Sequence, residues 1–161
     1  MLFRKNHFIL LIIFFAVVSC NIVPLHKTKI TETLLNNKVT VEEIDTEIGF
    51  YISQNLRFSL KDNGTKKDIS LANELEITKR EYGLSSSNQA TRIDLVGKLT
   101  GLIKKNKNTH TFSINEKVSY DVNQSNVANK AAEQNAKKRL ANLLTQAVLM
   151  ELYHLDHDWL E

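Results

Sequence analysis

Apolar residues in this chain recur at spacings of three and four in one stretch, at every second position in the next three, and at helical spacing again near the end. Ile48, Tyr51, Ile52, Leu56 and Leu60 form the first set and predict an amphipathic helix. Thr46 is placed to cap its start, with Glu47 in the first turn where the helix dipole favours negative charge. Asp62-Asn63-Gly64 is expected to end it, the glycine supplying the left-handed conformation of a helix C-terminus.

Alternation then takes over. Leu71, Leu75 and Ile77, then Ile93, Leu95, Leu99 and Ile103, then Phe112, Ile114, Val118 and Tyr120 lie between polar residues. Period two predicts strands covered on one face only. The connections, Ser85-Ser86-Ser87-Asn88 and Lys104 to Asn108, are too short for a crossover helix, so the three strands should be antiparallel hairpin neighbours. A shorter alternation at Val39 and Val41 predicts a brief strand able to join the sheet.

The last segment predicts a helix opening at Ser125 as N-cap, with an apolar stripe of Val127, Ala131, Leu140, Leu143, Leu144, Ala147, Val148 and Leu152. The fold class expected is α+β: a two-layer sandwich with two helices packed on a four-stranded, mostly antiparallel sheet whose other face stays partly wet.

Upstream of this domain the residues read as export signals. Arg4 and Lys5 precede an apolar run from Phe8 to Val18, and Ser19-Cys20 follows. The run holds about a dozen residues, whereas a helix that crosses a bilayer needs about 20. It reads as a signal peptide. Val17-Val18-Ser19-Cys20 resembles the lipobox of bacterial lipoproteins, in which the cysteine is acylated and the bond before it is cut. The alternative is a buried or reactive thiol behind an ordinary secretory signal. The organisation expected is therefore a signal over 1–19, an acylated cysteine and tether over 20–37, the α+β domain over 38–155 and a tail over 156–161. Asn21 stands where many inner-membrane lipoproteins carry aspartate, so the outer membrane is expected, on its periplasmic side.

Cys20 is the only cysteine of the 161 residues, so no disulfide can form within the chain. Arg4 and Lys5 leave with the signal, and the 21 basic residues against 18 acidic then come close to balance. A general nucleic-acid surface loses its support, and any anion-binding surface must be a local patch.

Residues for chemistry are sparse. There is no glycine-rich phosphate loop, and no catalytic set of nucleophile and base is recognisable by spacing. No enzyme activity, cofactor or metal is expected. His154-Leu155-Asp156-His157-Asp158 reads as a solvated helix end, because metal sites normally draw paired ligands from two separated places. His26 and His110 read as surface residues. The sequon-like Asn63-Gly64-Thr65 and Asn123-Gln124-Ser125 read as turn or cap chemistry. Lys137, Lys138 and Arg139 form one basic cluster on the last helix. Lys104, Lys105 and Lys107 form another at a hairpin tip, where charge also serves plain solvation; for a phosphorylated ligand, the hairpin is the candidate.

Taken in order, Cys20 with Pro24-Leu25, Thr91-Arg92 opening the strand of Ile93 and Leu95, Ser119-Tyr120, and the helix carrying Val127-Ala128, Ala131-Ala132, Ala136, Arg139 and Leu143 resemble the LptE family of lipopolysaccharide-assembly lipoproteins, in its divergent alphaproteobacterial form. The resemblance implies two helices on a four-stranded sheet and a lipid-anchored, non-enzymatic plug that helps assemble the outer-membrane barrel LptD. It also implies lipopolysaccharide as a ligand. Under it Arg92 is a plug or ligand contact; read from its strand alone, it is an ion-pair partner for an acid on the neighbouring strand. The other reading of the chain is a periplasm-facing accessory lipoprotein of a different lipid transporter.

Overall fold

The computed structural model describes residues 35, 38–65, 67–84 and 90–155. The signal 1–19, Cys20, most of the tether 20–37, the connection 85–88 and the tail 156–161 lie outside the described residues.

Among the described residues the order is β1 (Val39–Val41), α1 (Glu47–Ser59), β2 (Ile69–Leu84), β3 (Ala90–Lys105), β4 (Asn108–Asp121) and α2 (Asn126–His154). The four strands form one sheet in the order β1-β2-β3-β4. Its two long ladders are antiparallel, as the short polar connections require. β1 runs parallel to β2, with Val39 beside Ile69 and Val41 beside Leu71. The sequence had left the direction of β1 open; α1 settles it, because a helix between two neighbouring strands carries the chain back to the starting end of the sheet.

The period-two sets share one face. Leu99 pairs across the ladder with Ile114, Leu95 with Val118 and Ile93 with Tyr120, and all six are buried. On β2 only the first part of the set is covered: Ile69 and Leu71 are buried, Leu75 is half-buried and Ile77 is exposed. Two glycines on this face admit close neighbours. A Cβ on Gly97 would lie 3.0 Å from Leu144 Cδ1, and one on Gly101 would collide with the Phe112 ring.

Both helix caps form at the expected residues. Thr46 Oγ1 accepts from Gly49 N at 3.0 Å and Ser125 Oγ accepts from Ala128 N at 3.3 Å. Ile48, Ile52, Leu56 and Leu60 are buried, whereas Tyr51 is only partly covered. The end of α1 differs from the expectation. Lys61, not Gly64, supplies the left-handed residue at φ 51°. Lys61 N donates to the Phe58 carbonyl at 3.3 Å and Asp62 N to the Arg57 carbonyl at 2.8 Å, the paired bonds of a Schellman stop. Gly64, at φ 77°, serves the next turn, where its N–H donates to Asp62 Oδ1 at 3.0 Å. Asn63 acts as turn chemistry too, accepting from the Thr65 hydroxyl at 2.8 Å.

The stripe of α2 is corrected in part. Leu140, Leu144, Val148 and Leu152 are buried as expected, joined by Ala136, Ala141 and Thr145. Val127, 82% exposed, Ala131 and Leu143 face water instead. Leu143 and Thr145 lie two residues apart, about 200° around the helix, so they cannot both be buried on one side of it. Thr145 is admitted because its hydroxyl donates to the Ala141 carbonyl at 2.8 Å and needs no other partner.

Candidate functional site: the lysine hairpin and the open sheet face

β3 and β4 are joined by the two-residue turn Asn106-Lys107, closed by the pair Lys105 and Asn108. Asn106 takes φ 52°, a left-handed value that asparagine tolerates. The three lysines therefore cluster at one hairpin end but not on one face. Alternation puts Lys104 on the open face, across from Ser70 and Thr109, and Lys105 on the helix side; Lys107 is in the turn. Lys104 and Lys107 are exposed and Lys105 is half-buried. None of the three has an ion pair or side-chain hydrogen bond among the described residues.

The second basic cluster is dispersed by its own structure. Lys137 Nζ lies 2.7 Å from Glu47 Oε2 and 3.7 Å from Glu133 Oε1, tying α2 to the first turn of α1. Its bond to Glu47 raises the Lys137 pKa above the usual lysine value, and the same bond lowers that of Glu47. Lys138 sits over the Tyr51 ring, 5.9 Å from its centroid. Lys137 and Lys138 are thus engaged between the two helices, while Arg139 is exposed and has no ion pair or side-chain hydrogen bond among the described residues.

His110, read as a surface residue, is half-buried and stacks on Phe112 at 6.4 Å. His154 Nδ1 donates to the Met150 carbonyl at 2.7 Å, spending it on the end of α2. His157, Asp156 and Asp158 lie outside the described residues. Among the described residues no cluster of three metal-ligating side chains occurs.

The face of the sheet away from the helices is mostly polar, with Val96 and Leu102 half-buried on it. Rows of Glu74, Thr100 and Ser113 and of Glu76, Lys98 and Asn115 run across it. Its far end holds a cluster that sequence reasoning missed. Asp94 is buried between Arg92 Nε and Lys117 Nζ, each 3.5 Å from a carboxylate oxygen. Arg92 also donates to Ser119 Oγ at 2.9 Å. The Ser119 hydroxyl foremost, with the charges of Lys117 and Arg92, holds the Asp94 carboxyl below the usual carboxylate range against the opposing pull of burial. Arg92 is thus an ion-pair residue, but its acid is on its own strand and only its hydrogen bond reaches the neighbouring one. The signal that could have found this is the turn: once Lys105 pairs with Asn108, Asp94 must lie opposite Ser119.

Between the outer sides of α1 and α2 runs a groove of about 350 Å³ lined by Asn55, Phe58, Ser59, Asn142, Thr145, Gln146 and Leu149. The amide of Asn55 spans it to Asn142 at 2.9 Å, and Phe58 stands on its rim with 87% of its surface exposed.

No family model and no curated protein matches the sequence. Solved structures do. A Caulobacter crescentus protein provisionally named a lipoprotein is similar with a TM-score of 0.63 and 17% identity, over 83% of this chain and 97% of its own. Rare lipoprotein B of Shewanella oneidensis is similar with a TM-score of 0.51 and 14% identity, over 75% of this chain and 100% of its own. The two-helix, four-stranded architecture of this chain is a fold that proteins named as lipoproteins also adopt.

Proposed function

We propose that this protein is a lipoprotein of the outer membrane, anchored on its periplasmic side by acyl chains on Cys20, that plugs an LptD-like barrel and helps assemble it for inserting lipopolysaccharide at the cell surface. One observation carries the reading: the architecture implied by the LptE-like residues is the architecture the chain adopts. The Caulobacter crescentus and Shewanella oneidensis lipoproteins share it over nearly their whole length. Two properties of the surface support it. A plug meets a lumen that is polar, and the open sheet face is mostly threonine, serine, asparagine and charged residues. The hairpin of Lys104, Lys105 and Lys107 offers unpaired cations to lipid phosphates.

Purification of the tagged protein from detergent-solubilised membranes tests the function. A barrel of LptD-like size should co-elute on a sizing column, and labelled lipopolysaccharide should bind. Changing Lys104, Lys105 and Lys107 together to glutamate should weaken lipopolysaccharide binding and leave barrel association nearly intact. Normal lipid binding by that variant removes the hairpin from the reading. Failure of the wild-type protein to retain any barrel removes the plug function and promotes an accessory role with another lipid transporter.

A further inference from the structure

The end of the domain that carries the lysine hairpin also collects features that the plug reading does not use. The register puts Val39 beside Ile69 and Ile69 beside Lys105, and Lys105 pairs with Asn108, so Lys38, Asp68 and the lysine hairpin share that end. α1 returns to it: Arg57 donates to the Val41 carbonyl at 3.3 Å, Asp62 Oδ2 accepts from Val41 N at 2.9 Å, and the Thr40 hydroxyl donates to the Thr65 carbonyl at 3.3 Å. The late part of α2 lies against the end of α1, where Phe58 and Leu149 line the same groove.

Six lysines stand here: Lys38, Lys61, Lys104 and Lys107 exposed, Lys67 and Lys105 half-buried. None has a side-chain partner among the described residues, and the Lys67 Nζ is buried without a hydrogen bond. Among the described residues the acids of this end are Asp68, Glu151, Glu42, Glu43, which pairs with Arg57 at 4.0 Å, and Asp62, which is occupied by the backbone N–H groups of Val41 and Gly64. Among the lysines two large apolar side chains face water, Phe58 at 87% exposure and Met150 at 61%. Apolar side chains exposed at the same end as unpaired cations are the composition of a surface that seats in the headgroup layer of an anionic bilayer.

We propose that this end is a membrane-contact surface, with Phe58 and Met150 entering the headgroup layer and Lys38, Lys61 and the hairpin lysines meeting its phosphates. The proposal rests on acylation of Cys20 for its orientation. Lys38 is about 18 residues from Cys20, a reach of at most about 65 Å. The opposite end, marked by Val127, lies a further strand length of roughly 50 Å away. The anchored chain therefore enters the domain at the lysine end and can seat that end on the bilayer. The contact would fix how the domain stands on the membrane, which an acyl anchor alone does not set.

The test uses the acylated protein in vesicles, with Trp159→Phe removing the only native indole. Phe58→Trp places a probe at the lysine end and Val127→Trp one at the opposite end. In vesicles containing phosphatidylglycerol, a headgroup-depth nitroxide lipid should quench the Phe58→Trp indole at least twofold more than the Val127→Trp indole. Adding Lys38→Glu, Lys61→Glu and Lys107→Glu should abolish that difference. Equal quenching of the two probes overturns the contact. Protection of the Phe58→Trp indole by a co-purified barrel but not by vesicles also overturns it, assigning this end to the barrel wall. Flotation on neutral phosphatidylcholine vesicles, compared with Cys20→Ser, reads the anchor separately, so failure of the anchor and failure of the contact are distinguished.

Discussion

Gly97 and Gly101 lie four residues apart on the same face of β3, and the structure separates them sharply. At Gly97 an added methyl meets only the tips of side chains: Leu144 Cδ1 at 3.0 Å, Leu140 Cδ2 at 3.3 Å and Ile77 Cδ1 at 3.4 Å. These can yield by a few tenths of an ångström, and alanine loses less backbone entropy on folding by about 0.5–1 kcal/mol. Gly97→Ala should therefore leave stability within about 0.5 kcal/mol of the wild type. At Gly101 the methyl would collide with the Phe112 ring. The ring can escape only by leaving the glycine backbone it covers and its stack on His110. Overpacking of this kind costs about 1–3 kcal/mol. Phe112→Ala alone should cost about 3 kcal/mol, at the low end for a phenylalanine because β4 is an edge strand. In that background Gly101→Ala should turn mildly stabilising, by about 0.5–1 kcal/mol. The cycle then yields a coupling of roughly 3 kcal/mol between the two positions. Urea midpoints from far-ultraviolet circular dichroism on the four proteins measure it. Equal effects of Gly101→Ala in both backgrounds would refute the reasoning, as would Gly97→Ala proving the costlier of the two single changes.

Three further outcomes are expected. Leu95→Asp should destabilise by several kcal/mol, since Leu95 is 3% exposed, whereas Leu143→Asp should shift stability by less than about 1 kcal/mol because Leu143 faces water; comparable melting losses would put α2 in the wrong rotation. Glu47 titrates lower and Lys137 higher when folded, so their pair contributes fully between the unfolded values of 4.5 and 10.5. It is lost as pH falls through the depressed Glu47 value or rises through the elevated Lys137 value, and the gap in melting temperature between wild type and Glu47→Gln should narrow at both extremes; a gap unchanged at acid pH would deny the pair its role. Cys20→Ser should give unprocessed or soluble protein, and mass spectrometry that finds the wild-type thiol unmodified would end the anchor reading.

Much of the fold was legible because both periods were clean. Leu95, Leu99, Ile114 and Val118 could face only one way once alternation was recognised, and polar connections too short to cross the sheet left only hairpins. Two things were not legible. The direction and neighbour of β1 depend on where α1 delivers the chain, which three residues of alternation cannot state. The rotation of α2 depends on which polar residues satisfy themselves: Thr145 can be buried because its own helix accepts its proton, while Leu143, the more apolar residue, faces water. Counting hydrophobic residues along a helix ranks these two in the wrong order. Similarly, Asp94 reads as an ordinary solvent-side charge until the β3–β4 register brings Lys117 and Ser119 to it.

The lysine hairpin shows what grouping by sequence captures and what it misses. Lys104, Lys105 and Lys107 are neighbours in the chain and at the same end of the sheet, yet the pleat turns Lys104 and Lys105 to opposite faces and leaves Lys107 in the turn. Three ammonium groups so divided cannot converge on a single phosphate as residues on one face would. They can each meet a different phosphate of an extended anionic surface, or of a lipid carrying several. Binding through separate contacts also predicts a graded response. Each of Lys104→Glu, Lys105→Glu and Lys107→Glu should weaken lipopolysaccharide binding by a similar small factor, with the factors multiplying in the triple variant. A single one of the three that alone removes the whole effect would mean a closed site that the hairpin geometry does not provide.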